Sequence, residues 1–115
     1  MGRTPEGSPA LKTSWFHILV ALADGARHGY AIRKDVHERT DGAVRLYPAT
    51  LYGSIRELSE RGFIEALEGD DAPDADQRRR SYRLTPAGRE ALKDEVARLQ
   101  GILDQARSTR ALGGA

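Results

Sequence analysis

The chain of 115 residues has no cysteine. That rules out a disulfide framework and any thiolate metal site, and it suits a protein working in a reducing cytosol. Long apolar runs are missing too. The longest, Ile18 to Ala23, is far short of the roughly 20 residues a membrane-spanning helix needs, and no signal-peptide pattern precedes it. Neither sign of charge dominates: the formal net charge is +1, which argues neither for nor against a nucleic-acid partner. Histidines are few. His17, His28 and His37 do not stand at metal-ligand spacing, no serine sits in a nucleophile elbow, and the glycine-containing segments lack a phosphate-loop pattern. An enzyme is not expected, nor a metal, a cofactor or a membrane. His17 reads as a structural histidine of an apolar helix, and His28 as part of the turn that starts the next one.

What is present is arginine, fifteen of the eighteen basic residues, with three in a row at Arg78, Arg79 and Arg80. Acidic residues collect just before them, at Asp70, Asp71, Asp74 and Asp76. At this length the chain makes one domain with a modest core. Residues 1–9 carry Gly, Pro and Ser and read as a flexible tail. Leu11, Trp15, Ile18, Leu19 and Leu22 recur at helical spacing, so a first helix runs to about Ala23 and Asp24-Gly25 ends it. "HGYAIRKDVHERT" predicts a second helix from near Gly29, with Ile32 and Val36 inward and Gly42 beyond its end. A third starts at Pro48, whose fixed φ and missing N–H suit the first helical position, and stops at Arg61-Gly62. Phe63 to Glu68 and Arg79 to Leu84 read as strands joined by the polar loop "GDDAPDADQ", and a long helix follows Thr85-Pro86 to about Arg110. The fold class is therefore mostly α with a small β-hairpin, in winged helix-turn-helix order. Residues 10–85 form the reading head, 86–111 a C-terminal dimerisation helix, and 112–115 a flexible end.

The third helix is unusual in its composition. Leu51, Ile55 and Leu58 cluster on one side, while Ala49, Gly53, Arg56, Glu57 and Glu60 lie opposite. Glycine inside a helix costs about 1 kcal/mol relative to alanine. A helix whose backbone must approach another surface can use it, because Ala49 and Gly53 leave the face nearly flat. Thr50 and Tyr52 flank that face with hydroxyls, Arg56 offers a fork for guanine or phosphate, and the N-terminus at Pro48 favours phosphate. Recognition helices read the major groove with such N-terminal residues. The plainer alternative is a core helix with an incidental glycine.

The hairpin bears on the choice. Ile64, Ala66, Tyr82 and Leu84 can face the core by alternation, leaving Arg79 and Arg83 outward and Arg78 and Arg80 near the tip. Adjacent arginines there suit phosphate contact or minor-groove insertion. Alternatively they form a solvated basic strand paired with the acidic loop. Beside a flat-faced helix, a wing is the better reading. The final helix repeats Leu92, Val96, Leu99, Leu103 and Ala106 at spacings of four, three, four and three, a heptad seam suited to a second copy. Packing on its own first helix is the alternative, and both can hold. Leu11 and Trp15 of that first helix join the expected dimer interface, since Trp15 and Phe16 add aromatic surface beyond the core row.

"HGYAI", "YPATLYGSIRELSERGFIE" and "RRRSYRLTPAGREAL", followed by the final helix, resemble the PadR family of transcriptional regulators. The match covers about Leu11 to Leu92 and the final helix, and the combination is specific where each piece alone is weak. The resemblance implies a homodimeric winged-helix repressor of double-stranded DNA on a pseudo-palindromic operator. In some members a small aromatic or drug-like ligand releases the DNA. Here that ligand would stack on Trp15 and Phe16, although the short final helix leaves little room for an effector domain. The rival of another class is a winged-helix protein-interaction module without specific DNA binding.

Overall fold

The apolar row of the first segment folds as α1, Thr13–Leu22, in the computed structural model, which describes residues 10–67 and 80–113. Ile18, Leu19, Ala21 and Leu22 are almost wholly buried, so α1 is the element on which the others pack. Gly25, at φ +153°, breaks the chain away from it. Arg27–His28 then forms β1 and leads directly into α2, Gly29–Arg39, which buries Ile32 and Val36 as expected. Asp41 and Gly42 both adopt positive φ and reverse the chain. The Thr40 hydroxyl ties the start of the turn, donating to the Val36 carbonyl at 2.8 Å and accepting from the Val44 N–H at 3.0 Å. Leu46 is buried within the turn that follows.

The third helix, α3, is Pro48–Glu60, with Pro48 in its first turn and Leu51, Ser54, Ile55 and Leu58 buried. Gly62, at φ +77°, ends it in the left-handed conformation that glycine adopts at little cost. Strands β2, Ile64–Ala66, and β3, Ser81–Leu84, pair antiparallel with Ile64 opposite Leu84 and Ala66 opposite Tyr82. On the other side β3 pairs with β1, Arg27 opposite Tyr82, giving a three-stranded sheet of order β1-β3-β2. The third strand escapes sequence reading because two residues carry no alternation. A free edge on β3 supplies its partner. Ala66 is exposed, not inward as its alternation suggests. Its partner Tyr82 is buried because β3 is flanked by a strand on each side, whereas β2 lies at the edge of the sheet.

The joint between sheet and last helix explains "LTPAGRE". Thr85 caps α4, Pro86–Arg107: its hydroxyl accepts from the Gly88 N–H at 3.0 Å and donates to the Gly62 carbonyl. The Thr85 N–H meanwhile donates to the Phe63 carbonyl at 3.0 Å. One hydroxyl thus fixes the end of α3 to the start of α4. The first half of α4 packs on α1 through Leu92 and Glu95. The helix ends at Arg107 rather than Arg110. Ser108 and Thr109 donate their hydroxyls to the Gln105 and Ala106 carbonyls, a local bonding that competes with helix continuation, and a 3₁₀ turn follows at Arg110–Leu112.

Candidate nucleic-acid interface

Along α3 the buried and open sides separate as the wheel requires. Pro48, Ala49, Thr50, Arg56 and Glu60 are exposed, and Tyr52 and Gly53 half-exposed. Tyr47, the N-cap residue, makes no side-chain cap, so at the start of α3 the Ala49 and Thr50 N–H groups are not taken by it. Gly53 is not required by the fold. Among the described residues, a Cβ built there would meet only the flexible tip of Arg56, at 4.0 Å. The glycine therefore flattens the open face without serving any packing among those residues. Glu57 behaves differently from its neighbours: it accepts from the Trp15 indole N–H at 3.0 Å and lies 3.6 Å from Lys12.

Beside the N-terminus of α3 the structure opens a cleft of about 460 Å³ lined by α2 and the turn before α3. Tyr30, Arg33, Lys34, His37 and one acid, Glu38, come from α2, and Arg45 and Tyr47 from the turn. Tyr30 and Tyr47 are 57% and 59% exposed, and the Arg33 Nε donates to the Leu46 carbonyl at 3.0 Å. Sequence reasoning passed over these residues. The signal was legible, because positions 30, 33, 34 and 37 follow one stripe of a helix opposite Ile32 and Val36. The Arg45–Tyr47 side of the cleft was not, since it depends on how the turn folds back over α2. Cations and phenolic hydroxyls at a helix N-terminus are groups suited to a phosphate backbone.

On the sheet, Arg83 points outward as expected, but Glu65 across the ladder pairs with it at 2.6 Å. Arg78 and Arg79 lie outside the described residues. Arg80 does not stand at a hairpin tip. It immediately precedes β3, its carbonyl accepts from the Gly29 N–H, and its side chain is half-buried with Nε enclosed and unbonded among the described residues. Sheet pairing with β1 draws it inward. His28 is likewise held, its Nδ1 within 2.9 Å of the Ser81 hydroxyl.

Trp15 departs furthest from its expected place on a subunit seam. It is 5% exposed, donates to Glu57, and has the Lys12 ammonium and the Arg61 guanidinium about 5 Å from its ring centre. Packing of α1 against α3 uses up the ring, and no open face is left for an interface or a stacked ligand. Phe16 is half-buried, edge-on to His17, and Leu11 is half-buried against the core. Burial, and secondarily the Arg39 charge, lowers the His17 pKa. The seam of α4 divides. Leu92 turns into its own core, whereas Val96, Leu99 and Leu103 are exposed together with Ile102, and Ala106 is half-exposed. Ile102 stands outside the heptad row but shares its open side. Among the described residues no cluster of histidine and carboxylate side chains could hold a metal, and no helix is long and apolar enough to cross a membrane.

The sequence profile of the transcriptional regulator PadR-like family matches residues 18–94. An uncharacterised 37.1 kDa protein of transposon TN4556 from Streptomyces fradiae is 42% identical over 87 residues. That match takes in 73% of this chain, which spans only 23% of the relative's length. A transcriptional regulator from Clostridium thermocellum superposes with a TM-score of 0.69 at 26% identity, covering 83% of this chain and 87% of its own. BpsR of Bordetella bronchiseptica, whose DNA binding is regulated by 6-hydroxynicotinic acid, superposes with a TM-score of 0.63 at 26% identity, covering 89% and 67%.

Proposed function

The chain belongs to the PadR-like family of transcriptional regulators, and from that premise we propose that it is a sequence-specific repressor acting as a homodimer on a pseudo-palindromic operator. The observation that carries the reading is Gly53, a helix-interior glycine for which the fold has no use. With Ala49 it lets the α3 backbone approach base edges, and Arg56 supplies a bidentate donor to guanine. Tyr30, Lys34, Arg45 and Tyr47 take the phosphates beside the groove, and Arg78 and Arg79 are assigned to wing contacts, whereas Arg80 is held inward by the sheet. Residues 10–85 are the reading head, and residues 86–111 hold two heads together through Val96, Leu99, Ile102 and Leu103. Two-fold symmetry then spaces the recognition helices by about one DNA turn, roughly 34–36 Å. Ligand control through Trp15 is not part of this reading, because its ring and N–H are engaged within the chain.

Selection of bound fragments from genomic DNA tests it. The expected product is a pseudo-palindrome with half-sites one turn apart, confirmed by an electrophoretic shift on the protein's own upstream sequence. Recovery of unrelated fragments with equal affinity would instead favour a protein-interaction module with a basic surface.

A further inference from the structure

Glu57 stands about 80° round α3 from Ala49, at the edge of the face that carries Gly53 and Arg56. A free carboxylate there would oppose an approaching phosphate backbone. It is not free. One carboxylate oxygen accepts from the Trp15 indole N–H at 3.0 Å, and the other lies 3.6 Å from the Lys12 ammonium. Trp15 is itself immobilised, 5% exposed and flanked by Lys12 and Arg61. The same seam between α1 and α3 is closed by the Ser14 and Ser54 hydroxyls, 3.0 Å apart. A buried indole N–H needs an acceptor, so the pair holds from both sides. Arg56, one residue earlier, has no such restraint among the described residues and remains available outward.

We infer that Trp15 is a positioning residue for DNA recognition: with Lys12 it draws the Glu57 carboxylate toward α1 and off the groove face. The inference rests on α3 being the recognition helix. Trp15 then acts on DNA affinity through charge placement, without touching DNA.

The test uses the full chain and a duplex of its own upstream sequence. Trp15 is the only tryptophan, so the ¹H–¹⁵N spectrum holds one indole peak. In Glu57→Gln that peak should move upfield, because a neutral amide is a weaker acceptor. An unmoved peak overturns the pairing irrespective of any DNA result. Trp15→Phe keeps an aromatic ring but loses the donor, and should weaken duplex binding about five-fold at low salt, with the deficit shrinking as salt screens the released charge. The double variant Trp15→Phe with Glu57→Gln should return to within about two-fold of Glu57→Gln alone, because the two side chains act on DNA through one shared contact. A double variant as weak as Trp15→Phe, or a deficit independent of salt, would make Trp15 merely structural and defeat the inference. Wild-type protein that binds no duplex defeats the recognition-helix reading first, and this inference with it.

Discussion

The Cα of Gly88 lies against the Phe63 carbonyl, so closely that a Cβ at position 88 would stand 2.0 Å from that oxygen. The carbonyl cannot give way freely, since it accepts from the Thr85 N–H at 3.0 Å. Gly88→Ala should therefore destabilise the fold by about 3 kcal/mol, at the upper end of ordinary overpacking. A lowered denaturation midpoint at unchanged m-value is the expected result. Equal midpoints would mean that the α4 joint yields.

Gly53 predicts the opposite sign. With only the flexible tip of Arg56 near its Cβ among the described residues, Gly53→Ala should stabilise the protein by about 1 kcal/mol through helix propensity. DNA affinity should fall in the same variant, and Gly53→Leu should lose specific binding while remaining folded. A folded Gly53→Leu that binds its operator normally would remove α3 from the groove.

Base reading and phosphate contact separate by variant. Arg56→Ala should cost about 1–3 kcal/mol and relax preference at one operator position. Lys34→Ala and Arg45→Ala should weaken all sequences alike, each lowering the slope of log K against log salt by about 1. Binding isotherms at four or five salt concentrations distinguish the two kinds. A sequence-dependent loss at Lys34 would put the cleft among the base-reading elements.

Assembly is testable without disturbing the core. Leu92 and Glu95 of α4 are buried where that helix packs on α1, so removal of all of α4 would damage the reading head as well. Leu99→Glu with Leu103→Glu places charge only on the open seam. The expected product is a folded monomer by light scattering, with DNA affinity reduced by orders of magnitude. A variant that stays dimeric would move the interface off α4.

Acid should unfold this protein earlier than its composition suggests. The Arg98 hydrogen bond holds the Glu95 pKa below the usual carboxylate value, against the opposing effect of burial. Burial first, then Arg39, lowers that of His17. Both folded values lie below their unfolded ones. The stability they contribute is thus present above the unfolded pKa, about 6.5 for histidine and about 4.3 for glutamate. It is lost as pH falls through the folded values. Melting temperature should decline below about pH 6.5 in two stages, with His17→Gln removing the upper stage and Glu95→Gln the lower. A flat profile in the wild type would refute both assignments.

Local rules carried a large part of this molecule. Pro48 before a 3.6-residue apolar pattern, Gly62 after it, and Thr85-Pro86 ahead of a heptad row are signals of nearest-neighbour stereochemistry, and each marks an element boundary the structure has. The flat side of α3 was visible for the same reason, because helix geometry alone sets which residues share a face. Partnership between distant segments was another matter. The pairing of β1 with β3, the exposure of Ala66 and the inward turn of Arg80 follow from which strand finds a free edge, a property no short window contains. Trp15 shows the difference most sharply. Its spacing placed it on α1, but its bond to Glu57 crosses 42 positions. Its burial depends on how closely α1 and α3 pack. Periodicity states which way a side chain faces on its own helix. Only the folded chain decides what stands opposite, since that contact exists once the helices have met.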